Sequence, residues 1–197
     1  MITPSLHQPY EMKSFPVQFF VFFILLSFVA GMSGCKKEPV NEHKYVVGET
    51  YGGGIVFYVD YTGSSGKHGL IAAPQDQQDA PWGCQGTDIS TDSRLEYGQS
   101  NTTAILQGCP DAGIAARICD QLILNGFSDW FLPSKDELLM MRDVLYENGL
   151  GNFMKDAPYW SSTQTTGIAA KGLMFNHAVG NDITKQSAIK VRAIRAF

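Results

Sequence analysis

Residues able to do chemistry are sparse in this 197-residue chain, and their spacing decides what they can serve for. His43, His68 and His177 are far apart, and neither H-E-x-x-H nor C-x-x-C occurs, so no pair has metal-ligand spacing on a helix. Ser161-Ser162 lacks the flanking glycines of a nucleophile elbow. Gly52-Gly53-Gly54 precedes a strand pattern, whereas a phosphate-binding loop must follow one. Asn181-Asp182 and Asp129 offer oxygen atoms from separate turns, against the six to eight that calcium takes. The expectation is therefore no catalytic residue, no metal site and no cofactor.

Four cysteines remain to be placed. Cys35 follows an apolar run from Phe15 to Ala30 that is preceded by Lys13, the layout of a secretory signal too short to span a bilayer comfortably. Met32-Ser-Gly-Cys35 resembles a bacterial lipobox, which would make Cys35 the lipidated first residue of the mature chain; an uncleaved anchor helix is the alternative. Residues 1–34 are then the signal peptide, with Met12 an alternative start, and 35–47 a lipidated N-terminus and polar tether. Export favours oxidation. Cys84 and Cys109, each beside a glycine, are the preferred disulfide, with Cys109–Cys119 the competitor. Cys119 shares an apolar helix face with Ala115, Ile118 and Leu122 and reads as a buried thiol.

The elements that must position these residues are best defined at Asn125-Gly-Phe-Ser-Asp-Trp-Phe-Leu-Pro-Ser-Lys-Asp-Glu-Leu138. Pro133 ends an extended stretch, and Ser134 with Glu137 makes a capping box. Leu138, Met141 and Leu145 then recur at helical spacing, which predicts a helix to about Glu147. Upstream, Gly54–Asp60 and Gly69–Ala73 read as a hairpin. Pro74–Ser100 reads as one long polar loop, followed by a helix from near Asn101 and another over Asp111–Leu124. Short strands are expected at Tyr159–Ser162, Lys171–Asn176 and Ile189–Phe197. The fold class is α+β, with two or three helices and the N- and C-terminal strands meeting in one antiparallel sheet.

Asp129-Trp-Phe-Leu-Pro-Ser-Lys-Asp-Glu-Leu138, Tyr159-Trp-Ser-Ser-Thr163 and Val191-Arg-Ala-Ile-Arg-Ala-Phe197 together resemble the domain-of-unknown-function family 1566, also described as the C-terminal domain of a Legionella collagen-like adhesin. Gly52-Gly-Gly-Ile-Val-Phe-Tyr58, His68-Gly-Leu-Ile-Ala-Ala-Pro74, Asn101-Thr-Thr-Ala-Ile105 and Ala115-Ala-Arg-Ile-Cys119 fit in the expected order, so the resemblance covers residues 48–197. It implies a C-type-lectin-like fold and, for the adhesin, binding of sulfated polysaccharides. It marks Asp129, Trp130, Pro133, Ser134, Glu137, Trp160, Arg192 and Arg195 as motif positions. Formylglycine-generating oxidases share that fold group but use a C-terminal cysteine pair, and no cysteine here lies beyond Cys119.

Charge is uneven: Lys36–Ile168 holds 9 basic against 17 acidic residues, whereas Ala169–Phe197 holds 5 against 1. The basic end could meet an acidic ligand or pair with carboxylates such as Asp129 or Asp136; the acidity of the whole argues against nucleic acid. The resulting expectation is a lipid-anchored protein of the bacterial envelope, at the outer membrane and surface-exposed, recognising a glycan or extracellular protein without catalysis. An enzyme of unrecognised type or a structural envelope component is the alternative. Candidate contacts are Trp82 and Tyr97 in the long loop, and Lys171, His177, Asn181, Lys185 and Lys190 beyond Trp160.

Overall fold

The computed structural model describes residues 45–62 and 68–197. The expected signal segment and tether up to Lys44, with Cys35 and His43, lie outside the described residues. Tyr45 already packs on Tyr51 with ring centroids 5.0 Å apart, so the folded part begins slightly before Gly48.

Among the described residues, nine strands and three α-helices build an α+β unit with two sheets. In the first, β1 (Thr50–Tyr51), β2 (Gly54–Val59), β3 (Gly69–Ala72) and β9 (Ile194–Ala196) lie in that order, all antiparallel. The expected hairpin forms, with Ile55 opposite Ala72, and the expected joining of chain ends follows from Leu70 facing Ala196. The second sheet is mixed. Its order is β4 (Gln77–Ala80), β8 (Ile189–Val191), β5 (Pro158–Thr166), β6 (Ala169–Met174) and β7 (Val179–Thr184), with β5 and β8 parallel.

A single terminal strand over Ile189–Phe197 is thus corrected to two strands in different sheets. The chain crosses between them at Arg192-Ala193, where the buried guanidinium is held by Asp76 Oδ1 at 2.6 Å and by the carbonyls of Ala73 and Gly151. Pro74–Ser100 is likewise not one loop, since β4 pairs with β8 inside it.

Helix α1 spans Gly98–Gly108, α2 only Ala115–Asp120, and α3 Lys135–Val144, with a 3-10 turn at Tyr146–Asn148. The shorter α2 corrects the expectation of Asp111–Leu124; Leu124 instead bridges to Phe127. For α3 the capping box is present: Ser134 Oγ accepts from Glu137 N at 3.2 Å, and Ser134 N donates to Glu137 Oε2 at 2.7 Å. Two apolar clusters fill the interior. One gathers Trp82, Trp130 and Trp160 with Ile71, Ile105 and Cys119; the other packs Leu138, Met141 and Leu145 against Phe131, Tyr159 and Phe175.

Candidate functional site

Between β4 and α1, residues 81–97 carry no helix or strand, yet side chains from the sheet and from α1 pin them at several points. The disulfide Cys84–Cys109 closes one end, with Cα atoms 5.6 Å apart across 25 residues, and Asp111 Oδ2 accepts from Cys84 N at 3.0 Å. Cys84 (φ 43°), between Gly83 (φ 98°) and Gly86 (φ 92°), adopts a left-handed backbone that a non-glycine residue takes up at a cost.

Lys185 sits immediately after β7 and beneath this segment. Its carbonyl accepts from Trp82 N at 2.9 Å and Gly83 N at 3.2 Å. Its ammonium donates to Thr87 O at 2.8 Å and Gln164 Oε1 at 2.6 Å, and lies 4.3 Å over the Trp82 ring. Burial lowers its pKa from the usual lysine value. Gln164 extends the clamp: Oε1 also accepts from Ile89 N at 2.9 Å, and Nε2 donates to Asp88 Oδ1 at 3.2 Å. From α1, the buried Asn101 amide pairs with Asp92 as a strand neighbour would, accepting from its N–H at 2.8 Å and donating to its carbonyl at 2.6 Å. Ile89, 7% exposed, plugs the segment into the core beside Gly108.

The segment's outer face continues onto the neighbouring turns. Gly86 N donates to Gly167 O at 2.7 Å, Thr184 Oγ1 to Gln85 Oε1 at 3.0 Å, and Thr165 Oγ1 to Asp182 Oδ1 at 2.7 Å. Gln85, Asp88, Thr165, Asp182 and Thr184 are exposed, so amide, hydroxyl and carboxylate groups stand on one fixed surface. Beside it, a cleft of about 760 Å³ lies between the disulfide, Asp111 and Gln186. Such a surface can hydrogen-bond a polar ligand without first being ordered.

The expected contact residues separate sharply. Trp82 is 1% exposed and donates its indole N–H to Ser161 O at 3.0 Å, and Lys185 is 0% exposed; both support the segment from inside, which removes them as contacts. Tyr97 is half-buried under Arg94. His177 and Asn181 are exposed. Lys171 and Lys190 are neutralised by Asp182 at 2.7 Å and Asp79 at 2.8 Å. With Arg192 on Asp76 and Arg195 on Asp129, four of the five basic residues after Ala169 are ion-paired and the fifth is buried, so the charge of the basic end is largely compensated within the domain. Asp129 is paired as expected; Asp136 pairs instead with Lys135 at 3.0 Å.

The motif positions are structural too. Trp130 is 2% exposed, Trp160 is 0% exposed with its indole on Ala80 O at 2.9 Å, and Pro133 O accepts from Ser162 N at 2.7 Å. Glu137 is wholly buried; desolvation pushes its pKa up to about 7 despite hydrogen bonds from Ser134 and Gly98. Cys119 is free and buried, and desolvation raises its pKa. Among the described residues, the grouping with metal-ligand proximity is Cys84, Cys109 and Asp111, whose sulfurs are spent in the disulfide. No described helix is long and apolar enough to cross a membrane.

Sequence reasoning missed Gln164, Asn101 and Asp88. Asn101 alone carried a signal, as a polar residue heading a run that turns apolar; the others act through partners 70 or more positions away, such as the 75 between Ile89 and Gln164. No protein-family model matches the chain, and no curated protein matches it. Among solved structures it is similar to a fimbrial protein from Bacteroides ovatus, with 15% identity, covering 72% of this chain and 43% of that one at a TM-score of 0.48. The chain therefore spans less than half the length of that protein.

Proposed function

We propose that this domain is a non-catalytic recognition module of C-type-lectin-like construction, displayed by a lipid-anchored protein of the bacterial outer membrane, and that it binds a neutral glycan or an extracellular protein. The observation that carries this reading is the pinned segment 81–97. A disulfide, a buried ammonium and two buried or half-buried amides fix irregular backbone from beneath while polar groups face outward. Ordering such a loop on binding would cost free energy; here folding has already ordered it. Loops positioned by a rigid scaffold are where binding residues concentrate. The C-type-lectin-like reading is supported by the β3–β9 pairing, which joins the two ends of the domain around the intervening helices. A neutral ligand is favoured because the C-terminal cations are already paired or buried.

The test is a glycan array and a panel of extracellular proteins, probed with the full chain in detergent, with and without a chelator. Gln85→Ala and Asp182→Ala should each lower affinity at least tenfold while leaving the melting temperature within a few degrees, since both side chains are exposed. Chemical conversion of any bound ligand by the purified protein would refute the non-catalytic reading.

A further inference from the structure

Four of the seven large apolar side chains that are exposed among the described residues belong to the segments around Tyr45, the others being Ile123, Met154 and Ile168. Val46 (42% exposed), Val47 (44%) and Leu150 (37%) surround Gly48, where a Cβ would lie 3.2 Å from Leu150 Cδ1. Tyr61, 80% exposed, stands at the end of the adjoining β2 strand, beside Asp60, whose N–H donates to His68 O at 2.7 Å. His68 in turn contacts Tyr45 at 5.4 Å between ring centroids, and Phe197 contacts it at 4.7 Å. Segments distant in sequence thus meet around Tyr45: the chain at Val46–Gly48 reaches Leu150, and the end of β2 reaches Tyr45 through His68. Exposed apolar side chains gathered on neighbouring segments suit an interaction surface, and tyrosine, apolar in body and polar at its tip, suits a membrane–water boundary.

What covers it follows from the chain that enters there. Tyr45 succeeds the nine residues from Lys36 to Lys44, which follow Cys35 and the apolar run Phe15–Ala30. Nine residues reach about 30 Å fully extended, and roughly 15–20 Å as a flexible coil. Whether a lipid on Cys35 or the apolar run itself holds the membrane, this end of the domain is tethered within that distance of the bilayer. We propose that Tyr45–Val47, Tyr61 and Leu150 form a seat that rests on the bilayer interface, leaving segment 81–97, carried by the other sheet, for ligand. This inference rests on the envelope-anchor reading.

The experiment uses the full-length lipidated protein in phosphatidylcholine vesicles, with an environment-sensitive fluorophore on Tyr61→Cys or, separately, on Ile168→Cys. Ile168 is 60% exposed in the β5–β6 turn, and the remaining cysteines are lipidated, bridged or buried. Both variants should float with the vesicles. The label at 61 should shift to the blue and lose emission to acyl-brominated lipid, while the label at 168 should emit as in buffer. Flotation with equal quenching at both positions, or with none at 61, overturns the seat and leaves the anchor standing. Failure to float overturns both.

Discussion

Glu137 shows how one carboxyl can cap a helix and still carry a pH signature. It accepts from Ser134 N at 2.7 Å and Gly98 N at 3.5 Å, tying the starts of α3 and α1 together, and no salt bridge accompanies it among the described residues. Because its folded pKa is raised from 4.5 to about 7, the folded state holds a proton that the unfolded chain releases. Its contribution to stability is therefore complete below about pH 4.5 and is lost as pH rises through about 7. Denaturant melts across pH 4–8 should show stability falling over that window, and Glu137→Gln should flatten the slope; an unchanged slope in the variant would assign the titration elsewhere. Asp92, lowered to about 2 chiefly by its hydrogen bond from Arg94, acts in the opposite direction and only below its usual range, so the windows do not overlap. The capping box was legible because its donors and acceptors lie three residues apart. The burial of Lys185 and Trp82 was not, since their partners are 98 and 79 residues away. Polar and aromatic residues in a glycine-rich stretch look exposed until those partners are known.

At the level of elements, the segment 81–97 depends on supports that can be removed one at a time. Reducing Cys84–Cys109, which closes a 25-residue separation, should cost about 3 kcal/mol in the chain-entropy model. Non-reducing peptide mapping should recover that pair, with Cys119 unreactive toward maleimide until the protein unfolds. Lys185→Met keeps the volume but leaves the Thr87 carbonyl without its donor and Gln164 Oε1 with Ile89 N alone, a loss of about 1–3 kcal/mol. Limited proteolysis should then cut near Thr87 before the rest of the domain; cleavage elsewhere would show that the ammonium does not hold this segment. The hairpin β2–β3 was readable from two short apolar runs with a turn-rich, glycine-containing connection between them. Strand β7 was not: Gly180, Asn181 and Asp182 are turn formers, and only the six-residue ladder to β6 makes them strand. Nor does anything local divide β8 from β9, because Arg192 takes its place through Asp76, 116 residues earlier.

For the molecule as a whole, charge compensation bears on the kind of ligand that the proposed recognition would involve. A chain with 19 acidic and 15 basic residues whose C-terminal cations are ion-paired or buried offers little to a polyanion. Binding of a cognate ligand should change less than threefold between low and physiological salt. A tenfold weakening would restore an electrostatic site and count against the neutral-ligand reading. The α+β class and the joining of the two chain ends were legible from the order of strand and helix patterns. The division into two sheets was not, because it depends on which strands find each other across the molecule. The three tryptophans, at 1%, 2% and 0% exposure, give this architecture an optical consequence. Their emission should be blue in the folded protein and red-shift on unfolding, while a ligand on the polar face of segment 81–97 leaves it almost unchanged. Intrinsic fluorescence is thus a sharp gauge of folding here and nearly blind to occupancy, so titrations need a reporter placed on the outer surface.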